Sequence, residues 1–217
     1  MEHERPALII VDMQKYYLHK SSAYCSYFNA LQPGCLDYIM HRCETTVVPN
    51  IRLLLEYFRG RSLPPVYLRL CGTSPDRSDL HHFFRESYLK GARAGFDGVY
   101  PLAGEPDAAI LDEICPLPGE TVIDKPTFSP FTSTGIHGVL RSMGLTTLLF
   151  AGLSTSQCVE TTARDASDRG YHVIHIEDAQ ADYDESSHIH SLYSSQGVCG
   201  GYIVKTEDVI GRGVPAL

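Results

Sequence analysis

Short runs of apolar, β-branched residues alternate along this chain with stretches in which apolar positions recur every three or four residues. Ala7-Leu8-Ile9-Ile10-Val11 reads as a first strand, stopped by Asp12. From about Thr45 to Arg59, Val48, Ile51, Leu54, Leu55 and Phe58 fall on one face of a helix. Pro65–Leu70 and Thr121–Asp124 predict the next two strands, and Ser133–Met143 a helix ended by Gly144. A strand over Thr147–Ala151 leads through Gly152 into a helix from Cys158 to Arg169, closed by Gly170. His172–Ile176 and Gly201–Val204 complete the strands, with a helix near Ser187–Ser194 between them. Strand and helix in this alternation imply an α/β fold. It is a three-layer, Rossmann-like arrangement with a mostly parallel sheet covered by helices on both faces. One domain over residues 1–217 accommodates all of it.

The segment from Cys71 to Glu113 breaks the rhythm. It has few periodic apolar residues and is expected to be an irregular lid or binding loop, 71–113. Near the N-terminus, Tyr16, Tyr17, Tyr24, Tyr27 and Phe28 form an unusual aromatic cluster, suited to a core, an interface or a flat ligand.

Composition narrows the function. The 217 residues are 43% hydrophobic and 20% charged, with a net charge of −8. The acidity is diffuse, so neither nucleic acid nor an anionic membrane is expected as a partner. Met1–Pro6 is charged and lacks a signal-peptide core. Seven cysteines are scattered without a CxxC pair, which argues against disulfide and zinc frameworks and for a reducing cytoplasm.

Three residues carry candidate chemistry. In open parallel sheets, ligands bind beyond the carboxyl ends of the strands. Asp12 ends the first strand, Lys125 follows the third, and Cys158 follows the fourth. A thiol where a strand turns into a helix feels unpaired N–H groups and the helix dipole, so its pKa is expected to be lowered. A carboxylate, a cation and a thiol on one sheet edge suit acyl transfer from an amide.

These motifs resemble the isochorismatase-like cysteine hydrolases over nearly the whole chain. The resemblance rests on Ala7–Gln14, on Gly119–Pro126, and on Gly152–Cys158 with Val159, Thr162, Arg164, Asp165, Ala166 and Arg169-Gly170-Tyr171. It implies an Asp12–Lys125–Cys158 triad that hydrolyses non-peptide amides through a thioester, without cofactor or metal. It further implies a cis peptide at Leu153–Ser154, with the N–H groups of Ser154 and Cys158 as oxyanion hole. The look of Gly119-Glu120, Gly104-Glu105-Pro106 and Ser195-Gln196-Gly197-Val198 is that of the biuret-hydrolase and ureido-amide branch. The substrate expected is therefore a small linear amide or ureide. Gln196, Tyr17, Phe131 and Thr155 are the residues expected to touch it, and a homodimer or homotetramer is expected.

Other readings stay open. A nicotinamidase-like amidase would bear a metal, and Asp76, Asp79, His81 and His82 lie in the appropriate region but without the family's spacing. Gly152-Leu153-Ser154-Thr155-Ser156 nearly matches a serine nucleophile elbow, with His188 or His190 as base, but lacks the last glycine. A non-catalytic scaffold for a small ligand is also compatible with the fold.

Overall fold

A computed structural model describes residues 5–194 and 196–215; Met1–Glu4, part of the N-terminal reading, and Ser195 of the Ser195–Val198 motif lie outside them. Six strands pair in the order β3-β2-β1-β4-β5-β6. They are β1 (Pro6–Val11), β2 (Pro65–Leu70), β3 (Thr121–Lys125), β4 (Thr147–Leu153), β5 (His172–Ala181) and β6 (Tyr202–Val204). Every pairing between neighbours is parallel. All residues of β1 and β4 are buried. Successive side chains on a strand point to opposite faces, so this burial means both faces are covered, as the apolar runs predict.

The first connections carry the chain from β1 outward to β2 and β3, and the later ones place β4, β5 and β6 on β1's other side. The reversal falls between β1 and β4, which is where an open α/β sheet leaves a crevice for ligands.

The helices are α1 (Lys15–Leu18), α2 (Ala23–Leu31), α3 (Asp37–Arg42), α4 (Val48–Gly60), α5 (His82–Arg93), α6 (Pro130–Ser133), α7 (Ile136–Ser142), α8 (Glu160–Asp168), α9 (Glu185–Tyr193) and α10 (Thr206–Arg212). The amphipathic stretch predicted over 45–59 begins earlier. A wide turn at Cys43–Val47 joins α3 to α4, and Ile51, Leu54, Leu55 and Phe58 are buried as the spacing predicts. The predicted 133–143 helix is the shorter α7, and a separate turn, α6, ends at Ser133 before it.

The 71–113 segment is not irregular throughout. It contains the 12-residue α5, capped by the His81 side chain, which accepts from Phe83 N–H. Its buried face is Phe84 and Gly91, a stripe too sparse in apolar residues to register as periodic. Gly91 is needed for packing, since a Cβ there would lie 2.4 Å from Val99 Cγ2. Arg77 reaches Glu105, and Asp79 accepts from Thr73 and Ser74, so the segment is pinned at several points. The motif residues Glu105 and Glu120 are likewise structural. Glu105 also accepts from Leu102 N–H, and Glu120 holds Arg59 and Leu117 N–H.

Candidate active site

The parallel register sets Val11 of β1 beside Gly152 of β4, and Leu70 of β2 beside Lys125 of β3. Four strands thus end within about two residues of one another, and the residues that matter lie at or just beyond those ends. Gly152 permits this approach: it has φ +109°, and a Cβ would sit 2.1 Å from the Val11 carbonyl oxygen. Asp12 turns the chain sharply with φ 51°, an uncommon conformation that Asp tolerates better than most residues. Gln14, fully buried, fastens this turn. Its amide donates to the Leu70 and Ala108 carbonyls and accepts from Leu70 N–H.

Lys125 lies between the other two candidates. Its Nζ is 2.8 Å from Asp12 Oδ2, 3.3 Å from Cys158 Sγ and 3.2 Å from the Thr127 carbonyl. Asp12, Lys125 and Cys158 are 2%, 0% and 5% exposed, so these contacts operate away from solvent screening. The second Asp12 oxygen, Oδ1, is buried without a hydrogen-bond partner.

The electrostatics correct one sequence expectation. Burial pushes the Cys158 thiol up, the Asp12 charge adds to this, and Lys125 opposes both without reversing them. Cys158 lies in a wide turn, Thr155–Val159, that runs directly into α8, and burial is the largest influence on its thiol. Burial likewise raises Asp12, against the pull of Lys125. For Lys125, burial lowers the pKa, but the facing Asp12 and Cys158 outweigh it and hold the ammonium charged. The site thus sets a charged ammonium beside a carboxyl and a thiol that both hold their protons more tightly than usual. A carboxylate with raised proton affinity and a free oxygen is suited to take the thiol proton.

The backbone also differs from the expectation. Among the described residues every peptide bond is trans, Leu153–Ser154 included. Leu153 remains in the ladder, paired with Ala181, and Ser154 is extended at φ −87°, ψ 148°. Ser154 and Cys158 nevertheless line the same small cavity, about 20 Å³, with Asp12, Tyr16, Tyr17, Leu70, Phe84, Tyr100, Gln157 and Tyr183.

Of the expected substrate contacts, Tyr17 is in this wall. Its hydroxyl donates to Tyr183 at 2.5 Å, and Tyr24 reaches the same Tyr183 oxygen at 2.9 Å. Phe131 instead packs on Tyr171 and beneath the Arg169 guanidinium. Thr155 is turned toward His188, with Oγ1 2.8 Å from Nδ1. Gln196 is exposed on the surface, away from the cavity wall. The sequence reading missed Tyr16, Leu70, Phe84, Tyr100, Gln157 and Tyr183 as wall residues. The aromatic excess was the available signal for Tyr16, while Tyr100 and Phe84 were hidden in the supposed loop.

The competing sites fare differently. His188 is held by Thr155 and Arg42, and His190 by Ser186, so neither is hydrogen-bonded to Ser154 as a base. Asp79 is spent on Thr73 and Ser74, and among the described residues no three His, Cys, Asp or Glu are grouped to hold a metal.

Residues 6–208 match the isochorismatase domain. The chain belongs to the isochorismatase family. It is 31% identical over 187 residues to ureidoacrylate amidohydrolase RutB of Cronobacter turicensis, covering 81% of this chain and 74% of that one. Among solved structures, an isochorismatase family protein from Desulfovibrio vulgaris superposes with TM-score 0.79 at 25% identity, covering 97% and 98% of the two chains. N-carbamoylsarcosine amidase from Thermoplasma acidophilum does so with TM-score 0.65 at 26% identity, covering 94% and 97%. This isochorismatase-family chain is a hydrolase acting on carbon–nitrogen bonds other than peptide bonds. No described helix is long and apolar enough to cross a membrane.

Proposed function

We propose that the chain hydrolyses a small linear amide or ureide through a thioester on Cys158, with Asp12 moving the protons and Lys125 holding both groups in place. The contact of one buried ammonium with Asp12 Oδ2 and Cys158 Sγ carries this reading. Asp12 accepts the thiol proton as sulfur attacks the carbonyl carbon. The C=O electrons move to oxygen, and the N–H groups of Ser154 and Cys158 are the donors for that oxyanion. The tetrahedral adduct collapses, the C–N bond breaks, and Asp12 returns the proton to the leaving nitrogen. Water then attacks the thioester, giving up a proton to Asp12. The acid departs, and sulfur takes the proton back.

Relatives named for ureidoacrylate and N-carbamoylsarcosine support a ureide-type substrate. Seven free thiols suit the reducing cytoplasm that the reading assumes. A homodimer or homotetramer belongs to the same proposal, and light scattering on the purified chain tests it.

The experiment is ammonia release from biuret, N-carbamoyl amino acids, ureidoacrylate, nicotinamide and maleamate, by wild type and Cys158→Ser, with and without chelator. The expected result is chelator-resistant turnover of a ureide that the variant loses. Turnover that survives in Cys158→Ser contradicts the nucleophile assignment.

A further inference from the structure

The wall of the cavity beside Cys158 has a chemistry of its own. Four of its residues are tyrosines, Tyr16, Tyr17, Tyr100 and Tyr183, and among the described residues none lining it is Lys, Arg or His. The nearby cation, Lys125, has no donor to spare. An ammonium has three N–H bonds, and Asp12, Thr127 and Cys158 already take them. The Asp12–Lys125 pair leaves the site with no net charge of its own. Burial drives the phenols of Tyr16, Tyr17, Tyr24 and Tyr100 well above their ordinary pKa, so they stay neutral donors in a poorly solvated space.

A carboxylate brought into such a space would exchange its water for no countercharge, which is strongly unfavourable. A neutral amide meets the opposite situation. Tyr16 lines the cavity, and its hydroxyl is buried with no hydrogen-bond partner, although buried hydroxyls are almost always bonded. The hydroxyls of Tyr17 and Tyr24, by contrast, are both joined to Tyr183. Tyr16 is the wall phenol whose oxygen is fully buried and unpaired, and an amide or urea oxygen or nitrogen can satisfy it.

We propose that the cavity takes an uncharged ureide or diamide, and that the Tyr16 hydroxyl, not a cation, reads the end of the substrate beyond the scissile bond. This inference rests on the amidohydrolase reading and narrows it. It separates the chain's substrate from ureidoacrylate and N-carbamoylsarcosine, whose names denote carboxylates at neutral pH. At about 20 Å³ the closed cavity has room for roughly one water. A ureide is larger than this, so entry requires the wall to shift.

Pairs that differ only by an amide in place of a carboxylate test this. Malonamide is compared with malonamate, and N-carbamoylglycinamide with N-carbamoylglycine. Ammonia release gives kcat/KM for wild type and Tyr16→Phe, and calorimetry gives binding to Cys158→Ser. The uncharged member of each pair is expected to be favoured about tenfold or more in both readouts, and Tyr16→Phe to lower its kcat/KM by about tenfold. Equal or better handling of the carboxylates, no binding of either member, or an unchanged Tyr16→Phe enzyme overturns the proposal. Carboxylate turnover that depends on Cys158 would do so while leaving the amidohydrolase reading intact. Binding preference without ammonia from any compound would strike that reading alone.

Discussion

Gly152 lies so close to Val11 that a Cβ on it would be 2.1 Å from the Val11 carbonyl oxygen and 2.7 Å from its nitrogen. This contact sets the spacing of β1 and β4 where Asp12 and the cysteine turn leave the sheet. Gly152→Ala must force the strands apart and also hold alanine at φ +109°. Overpacking and the disfavoured backbone together cost about 3–5 kcal/mol. Chemical denaturation checks this, and any folded fraction is expected to lose turnover because Cys158 is displaced from Asp12.

The Asp12–Lys125 pair is buried, with side-chain exposures of 3% and 0%. Lys125→Met leaves a carboxylate in the interior without its cation, which costs about 3–5 kcal/mol. The double variant Asp12→Asn/Lys125→Met is expected to regain much of that stability with no activity. Asp12→Asn alone is expected to lower kcat by about 10²–10⁴. Denaturation and steady-state rates on the three variants separate the two roles.

Thr155 was expected at the substrate, yet its hydroxyl meets His188. The Arg42 guanidinium can only donate, so His188 Nε2 accepts from it and Nδ1–H donates to Thr155. Thr155→Val leaves that donor buried without an acceptor. A stability loss of about 1–3 kcal/mol is expected, with little change in KM. A large rise in KM with unchanged melting temperature would return Thr155 to the substrate.

Two buried histidines give the fold an acid limit. Burial lowers both His175 and His188 from 6.5 to about 4, so each is neutral in the folded chain and takes up a proton more readily when unfolded. Their contribution is complete above pH 6.5 and is lost as pH falls toward 4, at about 1.4 kcal/mol per pH unit for each. Melting temperature measured from pH 7 to pH 4.5 should fall steadily. His188→Gln should flatten that slope.

Much of this was legible in the sequence because parallel strands buried on both faces are unbroken apolar runs, as in Ala7–Val11. Asp12, Lys125 and Cys158 could be aligned because each lies at or beyond a strand's carboxyl end. What stayed hidden depends on side-chain direction and long-range contact. The 71–113 segment looked irregular because α5 buries an aromatic and a glycine in place of a leucine stripe. α10 escaped notice because Thr206 and Val209 are the residues it buries. Phe131 and Thr155 are near the site in sequence but are turned toward Tyr171 and His188. The acidity of Cys158 was misjudged because helix position is local, whereas the burial that overrides it comes from the whole fold.

The thioester on Cys158 is the center of the account, and it can be weighed directly. Wild type mixed with a turned-over ureide, quenched in acid within milliseconds and examined by peptide mass spectrometry, should carry the substrate's acyl mass on the Cys158 peptide. The adduct should decay as product forms and be missing from Cys158→Ser, whose kcat should be at least about 10³-fold lower. Turnover with no acyl mass on Cys158, undiminished in Cys158→Ser, would contradict it.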